Sequence, residues 1–235
     1  MKEEKMSKKG LFVVIEGIDG VGKKTQAEVL KARLESQGHD VELVDFPRYD
    51  DVSSAPVRMY LNGELGDLKD IGAEAASLLF AFDRKQAADQ IRQWLESGKI
   101  VLSNRYVASN LGHQGGKIQD TQERERFWDK LLWLEYEFLQ LSKPDINIIL
   151  YLDPNVAYEL VGKKGEREYL AGKKRDIHEQ DMGHLFSAAD SYRSLSVVYP
   201  DQFTLVDCSS GSGILSAQDI GDIIWKELEA LLVKQ

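Results

Sequence analysis

One stretch near the N-terminus, residues 11–26, constrains the fold of this chain more than any other. It begins with a run of apolar residues at 11–15, which predicts a buried strand. A glycine-rich turn follows, from Gly17 through Gly22 to Lys23, and a helical pattern begins after it. Glycines let the backbone curl so that successive N–H groups point at one anion, and the helix adds its positive N-terminal end. Strand, turn, lysine and helix in this order predict a phosphate-binding loop.

The residue after Lys23 departs from the usual pattern of such loops. The pattern expects Ser or Thr there to hold Mg²⁺, but this chain has Lys24, and Thr25 comes one place later. A register built on Lys24 and Thr25 would need glycine at positions 18 and 23, where Ile18 and Lys23 stand, so we keep the first register. The alternative is a turn that binds nothing. The residues predicted to bind phosphates are Gly17, Ile18, Asp19, Gly20, Val21, Gly22, Lys23, Lys24 and Thr25.

The composition excludes several classes of protein. The 235 residues suffice for one domain, which we assign to residues 11–235, after a charged leader at 1–10 that we expect to be disordered. The net charge of −9 argues against general binding to nucleic acids or membrane surfaces, since both are anionic. The single cysteine, Cys208, excludes an internal disulfide and fits a reducing cytoplasm. No apolar run approaches the roughly 20 residues of a membrane span.

Strand and helix patterns alternate along the whole chain. Strands are predicted at 11–15, 41–45, 100–103, 146–152 and 203–206, with helical patterns between them and after the last. This alternation predicts an α/β fold, in which a five-stranded parallel sheet is flanked by helices. Ligands in open α/β sheets bind at the carboxyl ends of the strands, so the residues that follow each strand are the candidates for a site.

Two of these strand ends carry aromatic and basic residues. Phe46 and Arg48 follow the second strand, and Arg105 and Tyr106 follow the third. The ordinary alternatives are core packing for Phe46 and a surface charge for Arg48. The next segment, 107–116, is polar and rich in glycine, so we predict a site loop there, with the candidates Asn110, His113 and Gln114. A polar surface histidine is the alternative for position 113.

A long helix is predicted over residues 71–97, with an apolar stripe that includes Leu78 and Phe82. Phe80 lies off this stripe, and Arg84 follows it by one helical turn. A ring and a guanidinium at this spacing form a surface that can both stack and donate hydrogen bonds. The alternative is a solvated charged face. A second long helix, predicted at 121–142, has a wide apolar face that suggests burial on two sides, as at a subunit interface.

The segment 162–177 is basic and glycine-rich, although the chain as a whole is acidic. It has little to bury, so we predict a small mobile lid that closes over phosphates, with a solvated charge run as the alternative. A phosphate loop, a basic lid and an aromatic–arginine surface suggest phosphoryl transfer between two bound molecules. Such transfer needs alignment and charge neutralisation more than acid–base chemistry.

The ordered motifs of the chain resemble those of the thymidylate kinase family of nucleoside monophosphate kinases. The resemblance covers nearly the whole chain, from residue 11 through the last helix. It implies an enzyme that transfers the γ-phosphoryl group of ATP to dTMP, with Mg²⁺, giving dTDP and ADP in dTTP biosynthesis. The motifs that carry it are Gly17-Ile18-Asp19-Gly20-Val21-Gly22-Lys23 with Thr25-Gln26, Phe46-Pro47-Arg48-Tyr49, Phe80 with Asp83-Arg84, Asn104-Arg105-Tyr106 with Ser109-Asn110, and Arg175-Asp176 before His178-Glu179.

The resemblance also implies roles for individual residues. Lys23 and the loop amides would hold the phosphates of ATP. Phe80 would stack on thymine and Arg84 would donate to its carbonyl, while Arg48 and Arg105 would grip the acceptor phosphate. Tyr106, or the two histidines in the set, would crowd the sugar and favour deoxyribose. The residues expected at dTMP are Asp19, Phe46, Arg48, Phe80, Arg84, Arg105, Tyr106, Asn110, His113, Gln114 and His178.

Gly20 bears on the source of the catalytic arginine. Some members of the family have a basic residue at this loop position, whereas others have glycine and take the arginine from the lid. This chain resembles the second kind. The residues expected to act in the transfer are Asp19, Lys23, Arg105, and Arg167 or Arg175 of the lid. The family forms dimers by helix packing, so we also expect a homodimer.

Two departures from the family pattern fall where Mg²⁺ would bind. Lys24 replaces the hydroxyl, and Asn104 replaces the Asp that is common before Arg-Tyr in this family. The remaining candidate ligands are Thr25 and Asn104, and we hypothesise that Lys24 helps to neutralise phosphate while ATP and water hold most of the metal. The departures leave two alternatives open. One is a kinase for another pyrimidine monophosphate such as dUMP, and the other is a nucleotide-binding sensor or scaffold without turnover.

Overall fold

Five parallel strands form the central sheet. The structure is a computed structural model that describes residues 9–68, 70–162, 176–211 and 213–233. The strands run in the order β2-β3-β1-β4-β5 across the sheet. The predicted α/β fold is confirmed, and the predicted strand bounds agree with the observed ones to within a residue. The strands are β1 (Leu11–Glu16), β2 (Val41–Asp45), β3 (Ile100–Asn104), β4 (Ile146–Tyr151) and β5 (Phe203–Asp207).

Helices connect the strands, and a short antiparallel pair follows β5, formed by β6 (Ser209–Ser210) and β7 (Gly213–Ile214). No helix in the described part of the chain is both long enough and apolar enough to cross a membrane. The helices are α1 (Lys23–Ser36), α2 (Ala55–Leu61), α3 (Ala73–Glu96), α4 (Val107–His113), α5 (Thr121–Leu132), α6 (Pro154–Gly162), α7 (Ile177–Gln180), α8 (Met182–Val198) and α9 (Ala217–Leu232).

β1 is the middle strand, and its whole length is buried. Its alternate residues belong to different cores: Val13 and Ile15 pack into one hydrophobic cluster, and Phe12 and Val14 into a second. A strand buried on both faces requires a continuous apolar run, which is why residues 11–15 carry no polar alternation. The phosphate loop therefore follows the one strand of the central sheet whose residues are all buried.

The predicted site loop at 107–116 is wrong, because most of it is helical. It forms α4, followed by a 3-10 turn at Gly115–Lys117. Val107 and Leu111 pack in the core, while Asn110 and His113 turn toward a cavity. Their polarity therefore reflects the cavity and not solvent exposure.

The predicted apolar stripe of α3 is wrong in its first half. Leu78 and Phe82 are 52% and 51% exposed, whereas Asp83 and Arg84 are buried. Both buried charges have partners elsewhere in the fold, Arg48 for Asp83 and Glu135 for Arg84. Paired charges can occupy an inward face that periodicity assigns to apolar residues.

The second long helix also differs from its prediction. α5 ends at Leu132 and continues as a π-helical turn, Trp133–Phe138. This turn places Glu135 in the interior, fully buried, while Trp133 and Phe138 are exposed. Insertions of this kind often mark functional positions.

Parts of two predicted segments lie outside the described residues. They are 1–8 of the predicted leader and 163–175 of the predicted lid, which include Arg167 and Arg175. The described structure begins with Lys9 and with Gly10, which is buried and whose amide donates to the carbonyl of Leu95.

Candidate active site

The glycine-rich loop between β1 and α1 has the backbone that the sequence predicts. Gly17, Gly20 and Gly22 have φ values of 132°, 95° and 86°, in a region that L side chains rarely adopt. Glycine is also required sterically at position 20, since a Cβ there would lie 2.2 Å from the carbonyl oxygen of Ala157. The loop therefore cannot carry a basic side chain at this position without a shift of α6.

The loop closes around its own lysine. Lys23 Nζ donates to the carbonyl oxygen of Ile18 at 2.7 Å and lies 3.9 Å from Asp19 Oδ1. The side chain of Ile18 is buried in the hydrophobic core and anchors the turn there. Residues 19–26 line a large cavity of about 940 Å³ at the carboxyl end of the sheet. We call it the donor cavity. The predicted loop residues that line it are Asp19, Gly20, Val21, Gly22, Lys23, Lys24 and Thr25.

A second, narrower cavity of about 60 Å³ adjoins the first. We call it the acceptor cavity. Most of the residues predicted at dTMP meet here, although they come from the loop, β2, α3, β3, α4 and α7. The predicted residues that line it are Asp19, Phe46, Phe80, Arg84, Arg105, Asn110, His113, Gln114 and His178.

Asp19 and Arg105 stand where the two cavities meet, since both residues line both of them. Arg105 Nη2 donates to Asp19 Oδ1 in a short ion pair, and Nη1 lies 3.2 Å from the Gly17 carbonyl oxygen. Burial acts to lower the pKa of Arg105, but the Asp19 carboxylate and its other neighbours raise that pKa above its usual value. The guanidinium is thus a permanent cation tied to the phosphate loop.

The backbone at Arg105 is strained. Its φ is 69°, which is uncommon for a residue with a side chain. The Arg105 amide donates to the Ile15 carbonyl of β1, and the Tyr106 and Ser109 amides both donate to the buried carboxylate of Glu16. Burial raises the pKa of Glu16. These bonds hold the turn in place, and such strain typically costs about 1–3 kcal/mol at a functional position.

Sequence reasoning missed Glu135, a buried residue whose carboxylate binds two side chains that line the acceptor cavity. Its carboxylate accepts from Arg84 Nε and Nη2, both at 2.6 Å, and from Asn110 Nδ2 at 2.9 Å. Arg84 Nη1 donates to the Tyr106 carbonyl oxygen. Burial acts to lower the pKa of Arg84, but Glu135 keeps it raised. The sequence did carry one signal of a buried carboxylate, because Glu135 stands within the apolar run around Trp133.

Two predicted acceptor residues lie elsewhere. Arg48 is not among the described side chains that line either cavity, because its guanidinium is held by Asp83 at 3.1 Å and by Ser53 at 2.7 Å. Tyr106 lies in the core, where its ring packs on Phe12 at 5.0 Å. The structure therefore places neither side chain in the described lining of the acceptor cavity, and their contacts with dTMP remain predictions.

Other residues line the cavities although no individual role was predicted for them. Tyr49 lines both cavities, and Arg58 of α2 reaches the donor cavity while donating to the Tyr49 carbonyl at 2.5 Å. Ile214 of β7 and Leu215 after it also line the donor cavity. An arginine on a short amphipathic helix resembles an ordinary surface charge, so only the tertiary structure identifies Arg58.

The donor cavity offers oxygen ligands that fit Mg²⁺. Thr25 and Asn104 both line it. Asn104 Oδ1 is buried and has no hydrogen-bond partner among the described residues. A hard cation such as Mg²⁺ takes oxygen ligands and keeps several waters, so an amide oxygen and a hydroxyl are suitable donor types for it.

Comparisons with known proteins agree with this geometry. The sequence model described as thymidylate kinase matches residues 15–205. The chain belongs to the thymidylate kinase family. A thymidylate kinase of Bifidobacterium longum (strain DJO10A) is 34% identical over 220 residues, covering 93% of this chain and 98% of that protein. One of Mycobacterium tuberculosis (strain H37Rv) is 31% identical over 173 residues, covering 73% and 78% of the two chains.

A solved structure supports the fold alone. The thymidylate kinase of Candida albicans has a TM-score of 0.68 and covers 94% of this chain and 92% of its own, with 22% identity. Membership of the thymidylate kinase family confirms the predicted fold and enzyme class. The roles of the individual site residues remain predictions.

Proposed function

We propose that this protein transfers the γ-phosphoryl group of ATP to dTMP, forming ADP and dTDP. The observation that carries the proposal is the junction of two cavities at Asp19 and Arg105, one beside a phosphate loop and one beside an aromatic–arginine surface. A hydrolase that uses water as acceptor has no need of the second cavity. Transfer between two bound nucleotides does need it.

The donor cavity has the features that a triphosphate requires. Loop amides and the N-terminus of α1 supply partial positive charge, and Lys23 can leave the Ile18 carbonyl for a phosphate oxygen. Thr25 and Asn104 would hold Mg²⁺, which neutralises phosphate charge when bound. Lys24 is exposed at the edge of the cavity and would add a further cation.

The acceptor cavity suits a pyrimidine that presents a carbonyl. Phe80 offers a ring for stacking, and Arg84 offers only donors, so it favours a base oxygen over an amino group. Gln114 Oε1 is buried without a partner among the described residues and can accept from the base. Arg105 would hold the acceptor phosphate close to the donor. The attacking phosphate oxygen is already anionic, so Asp19 can stay paired with Arg105 and no general base is needed.

The test is ADP release with ATP, Mg²⁺ and a panel of monophosphates that includes dTMP and dUMP. We expect the highest kcat/KM for dTMP. A Lys23→Met variant, expected to lose turnover, controls for contaminating kinases. A clearly higher kcat/KM for dUMP or another pyrimidine monophosphate would show that dTMP is not the preferred acceptor. Thermal stabilisation by nucleotides without any turnover would refute the enzyme and favour a binding protein.

We also propose that the protein is a cytoplasmic homodimer. Leu78 and Phe82, about one helical turn apart on α3, are half exposed and form an apolar face that a second copy would cover. Light scattering should give twice the chain mass for the wild type and a smaller mass for Phe82→Glu. A monomeric wild type would refute the dimer.

A further inference from the structure

Three histidines from three elements meet beside the acceptor cavity. His113 ends α4, His178 lies in α7, and His184 lies in the first turn of α8. One nitrogen from each lies within 4.8 Å of the other two. All three side chains are more than nine-tenths buried, although a nucleotide kinase needs no such cluster for charge neutralisation.

Two nitrogens of this histidine cluster are buried without a partner among the described residues. They are His113 Nδ1 and His184 Nε2. Leaving a buried polar atom unpaired costs about 1–3 kcal/mol, so each such atom calls for a ligand. His178 Nε2, in contrast, lies 3.0 Å from the hydroxyl of Tyr60.

The surroundings of the cluster favour the neutral form of each imidazole, which is the form that binds metals. Burial is the main cause that lowers the pKa of each ring, for His184 to about 4. Arg105 and Lys117 add to this, while the carboxylates of Asp19 and Asp181 act in the opposite direction. A bound cation would be repelled by the nearby charges of Arg105 and Lys117. Part of this repulsion is offset by the two carboxylates and by Asp176, which lies beside His178.

We propose that His113, His178 and His184 bind a first-row transition-metal dication, with Zn²⁺ the best fit. Three imidazoles with an open fourth position are an established donor set for Zn²⁺, whereas Mg²⁺ prefers oxygen ligands. The site is thus chemically distinct from the position of Mg²⁺ at Thr25 and Asn104.

The geometry requires a modest contraction. Zn–N bonds of about 2.0–2.1 Å put ligand nitrogens about 3.3 Å apart in a tetrahedral site, so nitrogens that now lie up to 4.8 Å apart must move closer as the rings rotate. The ring centroids lie 4.6 Å apart for His178 and His184, and 5.3 Å and 5.7 Å from His113 to these two rings. Contacts of α8 with both α4 and α7 keep the backbones of the three histidines together.

Binding at His113 has one consequence for Arg105. Arg105 Nη1 lies 3.1 Å from His113 Nε2, and since arginine only donates, the neutral ring carries its proton on Nδ1. An ion at Nδ1 moves that proton to Nε2 and opens the contact with Nη1. Arg105 keeps its ion pair with Asp19.

The probe is Co²⁺ titrated into the full-length protein without nucleotide, because its visible spectrum reports coordination. We expect one Co²⁺ per chain with the intense bands of a four-coordinate site, and displacement by Zn²⁺, which binds nitrogen ligands more tightly. His184→Gln should weaken binding at least about tenfold, and so should His178→Gln. His39→Gln removes the remaining histidine of the chain, between α1 and β2, and is the matched control.

Three results would overturn the proposal. They are a spectrum without four-coordinate bands, equal binding by His184→Gln and wild type, and binding lost in His39→Gln. Circular dichroism of each variant without metal verifies that it folds. If a variant does not fold, the test uses the wild type instead. Zn²⁺ should then raise its melting temperature and a chelator should reverse the rise; the absence of that rise refutes the site.

A second consequence rests on the proposed function. His113 and His178 line the acceptor cavity, so a bound ion takes space that dTMP needs. Saturating dTMP should therefore weaken Co²⁺ binding several-fold, and unchanged binding would refute the competition. Turnover of the wild type with Mg²⁺ alone is measured separately, so that failure of the metal site and failure of the kinase activity are distinguishable.

Discussion

Replacing Glu135 by Gln isolates the role of a buried charge behind the acceptor cavity. The change keeps the volume of the side chain but removes the carboxylate that accepts three hydrogen bonds from Arg84 and Asn110. The new amide NH₂ faces a donor, and the Arg84 guanidinium stays buried without its counter-charge. Breaking a buried ion pair in this way costs about 3–5 kcal/mol, which we expect as the loss in the free energy of unfolding.

The same change should affect acceptor binding. Glu135 fixes the guanidinium of Arg84, which lines the acceptor cavity and would donate to a base carbonyl there. Loss of one charged hydrogen bond to dTMP, about 1.5–3 kcal/mol, corresponds to a roughly 10- to 150-fold rise in KM. We expect kcat to change less, because the groups at Asp19 and Arg105 are untouched. The preference for dTMP over dCMP should also narrow, since Arg84 no longer selects a carbonyl.

The assays are urea denaturation and steady-state kinetics with both monophosphates. Glu137→Gln is the matched control: it is the same substitution two residues away, at an exposed side chain paired with Lys143. This pair should contribute less than about 1 kcal/mol. A loss in Glu135→Gln no larger than in this control, or an unchanged KM for dTMP, would contradict the positioning role. A loss of stability with unchanged selectivity would leave Glu135 merely structural.

Three further changes test other parts of the site. Lys24→Thr restores the hydroxyl of the loop pattern and should lower the Mg²⁺ concentration for half-maximal turnover; unchanged metal dependence and activity would mean that Lys24 points to solvent. Gly20→Ala places a Cβ 2.2 Å from the Ala157 carbonyl at a φ of 95°, so the free energy of unfolding should fall by at least about 2 kcal/mol; a smaller loss would refute the steric argument. Burial lowers the pKa of His184 from 6.5 to about 4, so the unfolded chain takes up a proton as the pH falls through 6.5 while the folded chain does not. Stability should therefore drop between pH 7 and pH 5, by about 2 kcal/mol from this group; denaturation of His184→Gln should show a smaller drop than wild type and His39→Gln, and equal drops would refute it.

Much of the fold could be predicted because its signals are local. The apolar run of β1, the glycines of the loop and the alternation of strands and helices depend on residues a few positions apart. The strand bounds were predicted to within a residue for this reason. The sequence also indicated the phosphate loop and most of the residues that line the acceptor cavity, such as Phe80, Arg84 and Asn110.

Only the tertiary structure decided which face of α3 is buried. Periodicity assigned Leu78 and Phe82 to the core, but Asp83 and Arg84 are the buried residues. Their charged partners are distant in the sequence, so periodicity within the helix could not reveal this burial. Glu135 is 51 residues from Arg84. The same holds for Arg48, whose pairing with Asp83 keeps it out of both cavities.

The sequence by itself therefore determined the sheet, the phosphate loop and the class of chemistry, since these follow from local backbone requirements. The tertiary structure alone decided how the buried charges pair, that three histidines meet, and that the two cavities join at Asp19 and Arg105. The physical reason is that a buried charge or an imidazole is placed by partners which only folding brings near.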